Sequence, residues 1–205
     1  MSMDLPGGTE TALSDAELEE LSLEMPALAL LRDFARLLPD IAWFGQLGTP
    51  LDQETRALAQ AYLEGLGFPD ADLAKLSNWE DATVAAESGD WNSAAWEAEE
   101  SLRAALSTDL LEVLSEEAFE IGFTYVAAQA DESVRNAAES TANDWGVEDM
   151  EIAIAAAGAA MQALHGAAIA VAAGADDNHP FLLRFRLFER GRWPIGVAGL
   201  TFNIF

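Results

Sequence analysis

The sequence predicts a mainly α-helical protein: a single helical domain around a buried, alanine-rich central helix, with an antiparallel β-hairpin at its C-terminal end. Residues 152–174 carry no charge, and Gln162 and His165 are their only polar side chains. A helix that is apolar on every side must be covered on every side. Helix start signals recur throughout the chain before Pro180, whereas from Phe181 onward apolar and polar residues alternate with the period of a strand.

The composition indicates a folded chain with an acidic surface. Hydrophobic residues make up 51% of the 205 residues, yet 36 Asp and Glu against 10 Lys and Arg give a formal net charge of -26. Such a field repels nucleic acid and anionic membranes and favours cationic partners. Solubility, a coding bias or a salty cytoplasm would explain the same acidity without a partner.

The cellular location is expected to be the cytoplasm. There is no cysteine, which excludes disulfides and thiolate chemistry, and the first residues lack the basic and apolar regions of a secretory signal. Residues 152–174 are long enough to span a bilayer. Their Ala and Gly content and the acidic residues on both flanks argue against a membrane helix.

The N-terminal half divides into a tail and several capped helices. Residues 1–13 have no period and are predicted to be a flexible tail, so that residues 14–205 form the domain. A capping box over residues 14–17 starts a first short helix. Pro26 suits the first turn of the next helix, and Pro39 would end it. Thr49 is the predicted cap of the following helix, with Pro50 in its first position.

The middle of the chain predicts four further helices, the last of which is the central helix. Residues 77–80 form a second capping box, and Asp90 would cap a helix running from Trp91 to about Leu106. A long helix is predicted from Glu116 to about Asn143. The central helix would begin after a break at residues 145–146.

The C-terminal residues 181–205 predict the hairpin. Phe181, Leu183, Phe185 and Leu187 occupy alternate positions, residues 189–191 suit a turn, and residues 193–197 would return as the second strand. Gly199 would bend the chain again before the last five residues. A hairpin alone is marginal, so it must lie on the helices or on another chain.

Arginines and tryptophans are the candidate partner-binding residues. The hairpin segment carries four arginines and one glutamate, so it opposes the charge of the rest of the chain. Alternatively, the arginines pair with acids of their own helices, and the tryptophans seal helix ends. The candidate partner-binding residues are Trp91, Trp96, Arg184, Arg186, Arg190, Arg192 and Trp193.

Signals for chemistry are weak. The sequence contains no Gly-rich phosphate loop, no Gly-x-Ser-x-Gly and no His-Glu-x-x-His, and no cofactor is predicted. His165 is a weak catalytic candidate, which could equally be a core histidine bonded to a carbonyl or to Gln162. Asp176, Asp177 and His179 are weak metal-ligand candidates, because their spacing matches no established cation loop and is typical of a turn.

These observations favour a non-enzymatic, acidic, cytoplasmic protein-binding module: an adaptor, inhibitor or neutralising partner of a cationic protein. Self-association through the C-terminal hairpin is the alternative to binding a cationic protein partner. Two alternatives stay open: a small-molecule enzyme with its site around His165, and an acidic mimic of nucleic acid.

Overall fold

The computed structural model describes residues 19, 21–89 and 93–205 of the chain. Within them the chain forms seven α-helices and a small three-stranded mixed sheet, which confirms the predicted mainly α-helical class. The predicted tail over residues 1–13, the capping box over residues 14–17, and Asp90 and Trp91 lie outside the described residues.

The helices are α1 (Pro26–Ala35), α2 (Gln53–Leu66), α3 (Trp79–Glu87), α4 (Ala94–Leu111), α5 (Glu116–Asp144), α6 (Glu151–Ala172) and α7 (Pro180–Glu189). A short 3-10 helix, Leu38–Asp40, follows α1. The strands are β1 (Asp72–Lys75), β2 (Pro194–Ala198) and β3 (Thr201–Ile204).

Helix α6 is the predicted central helix. It packs against α1, α4, α5 and α7, and most of its alanines are buried. It is the one helix among the described residues that is long and apolar enough to cross a membrane, but 61% of its most apolar window is buried inside the protein. The apolar sequence of α6 is therefore explained by the protein core.

Three predicted helix starts are wrong by one to three residues. Helix α2 is capped by Asp52, whose carboxylate accepts a hydrogen bond from the Thr55 amide at 2.7 Å, and not by Thr49. Helix α3 is capped by Asn78, one residue into the predicted capping box. Helix α4 begins at Ala94 with Ser93 as its cap, and not at Trp91. In each case the residue that caps has a short polar side chain, which reaches the free amides of the first turn.

The largest error of the sequence analysis concerns residues 181–189, which form helix α7 and not a strand. His179 caps this helix through its Nδ1 atom, and Pro180 occupies the first turn. The apparent alternation arises because α7 is buried on several sides, so that apolar residues fall on more than one face. Gly166 of α6 permits this close packing, since a Cβ there would lie 3.2 Å from Cγ of Phe181.

The hairpin is consequently shorter and lies later than predicted. Strands β2 and β3 pair antiparallel, and Gly199, with φ of 61°, lies in the turn between them. Strand β1, which the sequence analysis missed, pairs parallel to β3 and makes β3 the central strand.

Two groups of buried residues form the core, and α7 contributes to both. The larger group surrounds α6 and takes Phe181, Phe185 and Phe188 from α7. The smaller group lies between α2 and β3 and takes Leu183 and Leu187 from α7. Helices α3 and α4 lie beside this core together with β2, and these elements leave a cavity between them.

Candidate ligand-binding cavity

A cavity of about 920 Å³ lies where α3, α4, α6 and β2 meet. Helices α2 and α7 each contribute one side chain to its wall, Tyr62 and Arg184. This volume is typical of a site for a small organic molecule.

Helix α6 provides one wall through a face that none of the described residues covers. Five residues of this helix line the cavity at helical spacing: Ala155, Gly158, Ala159, Gln162 and His165. Three of them are small, which leaves room, and a Cβ placed on Gly158 would meet no atom within 4 Å. Both polar side chains of residues 152–174 therefore face the cavity, on an otherwise apolar helix.

Three side chains from distant parts of the chain form a hydrogen-bonded cluster in the wall. Glu99 of α4 accepts from Arg184 Nη1 at 2.6 Å through Oε2, and from the Tyr62 hydroxyl through Oε1. The Glu99 and Arg184 side chains are only 15% and 14% exposed. This Tyr62–Glu99–Arg184 cluster joins α2, α4 and α7.

The ionisation states of the cluster follow from its burial and its charges. Burial, reinforced by the charge of Glu99, raises the pKa of Tyr62 well above its usual value. Burial alone would lower the pKa of Arg184, but Glu99 and Tyr62 together outweigh it and raise that pKa. At neutral pH Tyr62 is thus a neutral phenol and Arg184 a charged guanidinium group.

His165 is a neutral hydrogen-bonding group in the cavity at pH 7. Its pKa is lowered from 6.5, first by burial and second by the charge of Arg103. Its ring lies 4.9 Å from that of Phe123. Within the described residues it makes no hydrogen bond to Gln162 or to a carbonyl, as a core histidine would. Its polar atoms therefore remain available to a ligand.

The second arginine of the cavity is also paired. Arg103 forms an ion pair with Glu100, one helical turn before it on α4. Its guanidinium group lies 6.0 Å from the centre of the Phe181 ring. Each cavity arginine is therefore matched to a glutamate of the same wall, and Glu87 adds one further acid from α3.

Two of the candidate partner-binding tryptophans line this cavity. Trp96 is 40% exposed, whereas Trp193 is 2% exposed. The indole Nε1 of Trp193 is buried and has no hydrogen-bond acceptor among the described residues. Ile195 and Val197 of β2 extend the apolar surface beside it.

The other candidate arginines bind within the chain. Arg186 pairs with Asp177, and Arg190 pairs with Asp52 and Glu54. Arg192 is 3% exposed and donates to backbone carbonyls, those of Gln46, Thr49 and Pro50. Arg184 is the one of these four that lines the cavity.

The candidate metal ligands have local roles in the loop before α7. Asp176 accepts from the Asn178 amide at 2.9 Å, Asp177 pairs with Arg186, and His179 caps α7. In the described part of the chain, no three His, Cys, Asp or Glu side chains are grouped closely enough to hold a metal ion.

The sequence analysis identified His165 but missed Tyr62, Glu99 and Arg103 as cavity residues. Nothing in the sequence distinguishes Glu99 from the other 35 acids, since its partners lie 37 and 85 residues away.

Comparison of the chain with protein-family models, with curated proteins and with solved structures finds no match.

Proposed function

We propose that this protein binds a small organic molecule in the cavity between α3, α4, α6 and β2. The observation that carries the proposal is the uncovered face of α6, on which both polar side chains of the helix, Gln162 and His165, line the cavity. An apolar helix requires other atoms to cover it along its length. At this face the described residues leave an open space of ligand size instead. A bound molecule would supply the missing cover.

The Tyr62–Glu99–Arg184 cluster supports the proposal. Burying an ion pair costs desolvation energy, and an apolar replacement is often as stable. The placement of this cluster in a cavity wall is thus better explained by a need for fixed polar groups in that wall. Because the cluster ties three helices together, it holds the wall in place before a ligand arrives, which reduces the entropy lost on binding.

The two sequence-based hypotheses relate to this cavity differently. An enzyme with its site around His165 would use the same cavity, with the neutral imidazole as a base, and His165→Gln would then abolish activity without unfolding the protein. Docking of a cationic protein would use the acidic surface, but the exposed acids are dispersed over several helices. The local geometry therefore favours a small ligand over a protein partner.

A thermal-shift screen of neutral, cationic and anionic small molecules tests the proposal. Gly158→Leu should place a bulky side chain in the cavity beside His165 and Gln162, where a Cβ meets no atom within 4 Å, and should favour the helix, since Gly costs about 1 kcal/mol relative to better helix formers. Ile154→Phe is the matched control, because Ile154 is 67% exposed on the same helix and does not line the cavity.

We expect at least one compound to raise the melting temperature of the wild type and of Ile154→Phe, with no rise for Gly158→Leu. An equal rise in Gly158→Leu would place the ligand elsewhere. A screen in which no compound stabilises the wild type would contradict the proposal.

A further inference from the structure

We infer that the ligand is a molecule without net charge, with an apolar body and a hydrogen-bonding group such as an amide, ketone or alcohol. This inference rests on the proposed function and specifies the chemical class of the ligand for the same cavity. Three features of the wall carry it: paired charges, unused neutral polar groups and an apolar surface.

The charged side chains that α4 and α7 contribute to the wall are already paired, whereas Glu87 of α3 is exposed and has no ion pair in the described structure. Both carboxylate oxygens of Glu99 are occupied, one by Tyr62 and one by Arg184, and Glu100 is paired with Arg103. A charged ligand would have to displace one of these partners or remain without a counter-ion. Leaving a charge unpaired in a partly buried site is strongly unfavourable. The two ion pairs thus offer no free counter-ion to a cation or an anion beside α4 and α7.

Neutral polar groups, in contrast, are unused. The Gln162 amide and the His165 imidazole line the cavity, and no described residue hydrogen-bonds to either side chain. The indole N–H of Trp193 is buried and not accessible from the cavity, so the Gln162 and His165 side chains are the neutral groups that a ligand can reach. These groups supply donors and acceptors without net charge, as the recognition of a neutral carbonyl or hydroxyl requires.

The apolar part of the wall is suited to a hydrocarbon body. Ala155 and Ala159 on α6 lie across the cavity from Ile195 and Val197 on β2, and Trp96 adds an aromatic surface. At long range, the net charge of -26 disfavours an anion and favours a cation. The positive charge of Arg103 disfavours a positively charged ligand group next to His165.

A series of three adamantane derivatives tests this inference, because they share one apolar cage and differ in the head group. At pH 7.5 adamantane-1-carboxamide is neutral, adamantane-1-carboxylate is an anion and 1-adamantylammonium is a cation. Isothermal titration of each compound into the wild type, Gly158→Leu and Ile154→Phe gives the affinities.

We expect the carboxamide to bind the wild type and Ile154→Phe at least about tenfold more tightly than either ion, which corresponds to about 1.4 kcal/mol. Gly158→Leu should abolish its binding. If an ion binds as tightly as the carboxamide and Gly158→Leu abolishes that binding, the ligand class is wrong while the cavity stands. If none of the three binds the wild type, or if Gly158→Leu binds them equally, the site itself is contradicted.

Discussion

Glu99 is the residue on which the cavity wall depends most. It connects α4 to α2 through Tyr62 and to α7 through Arg184, and its side chain is 15% exposed. Helix α4 has two buried residues in the described structure, Ala95 and Leu110, and Leu102 and Leu106 also pack against the core. Glu99 adds the polar contacts of this helix to α2 and α7.

Glu99→Gln should lower the free energy of unfolding by roughly 1 to 3 kcal/mol, because Arg184 would lose the charge that compensates it in a buried position. Asp177→Asn is the control, since it breaks the exposed pair with Arg186 and should cost less than about 1 kcal/mol. Urea denaturation measures both. Equal losses in the two variants would show that the buried pair contributes no more to the free energy of unfolding than the exposed pair does.

His165 should make stability depend on pH. Its pKa is lowered from 6.5 in the folded protein, so the unfolded chain binds a proton first as the pH falls. Relative to His165→Gln, the wild type should therefore lose stability as the pH is lowered from 7.5 through 6.5 toward the lowered pKa. Denaturation at several pH values measures the difference. A difference that does not change with pH, or that grows in favour of the wild type, would contradict this assignment.

At the scale of elements, the sequence predicted those helices and breaks that are determined by interactions between residues close together in the chain. The long helix α5, the break at Trp145 and Gly146 and the burial of α6 all follow from caps, periodicity and composition. Strand β1 could not be predicted in this way, because it forms only by pairing with β3 far along the chain. Helix α7 was missed because its burial on several sides hides the helical period.

The two faces of α6 should respond differently to added bulk. From the sequence alone, leucine at position 159 or 163 is expected to overpack the core. In the structure, Ala163 is 4% exposed, whereas Ala159 lines the cavity. Ala163→Leu should therefore cost roughly 1 to 3 kcal/mol, and Ala159→Leu should cost less than Ala163→Leu. Thermal or urea unfolding compares them, and equal destabilisation would mean that the α6 face is not open.

At the scale of the whole molecule, the C-terminal end completes the fold. Strand β3 is the central strand, and Phe202, Ile204 and Phe205 are almost fully buried. The backbone of Phe205 also exchanges two hydrogen bonds with Trp193, a residue of the cavity wall. The sequence indicated that residues 181–205 could not be a removable tail, although it assigned part of them to the wrong element.

Deletion of residues 201–205 should abolish cooperative unfolding. Burial of each large apolar side chain contributes about 1.5 to 3 kcal/mol, and the deletion removes three such side chains. It also removes β3, the strand with which both β1 and β2 pair. Circular dichroism during thermal denaturation measures the loss. A truncated chain that still unfolds in one sharp transition would show that the sheet is dispensable.

The candidate site was only partly predictable for a related reason. His165 and Gln162 are visible in the sequence because they interrupt an apolar helix. Glu99 and Arg103 could not be identified, because the neighbouring sequence does not distinguish one acid among 36, or one arginine on an acidic helix, as a cavity residue. Their roles arise only when α4 is placed opposite α6 and α7, which is a property of the whole molecule.

The alanines of α6 allow a direct test of the central claim that this cavity binds a neutral small molecule. Methyl NMR spectra of alanine-labelled protein, recorded with and without adamantane-1-carboxamide, would report on the two faces of one helix. Ala155 and Ala159 line the cavity, whereas Ala156 and Ala160 are fully buried in the core. We expect the resonances of Ala155 and Ala159 to shift on saturation while those of Ala156 and Ala160 shift much less. Unchanged resonances at Ala155 and Ala159, or larger shifts at the two core alanines, would contradict the claim.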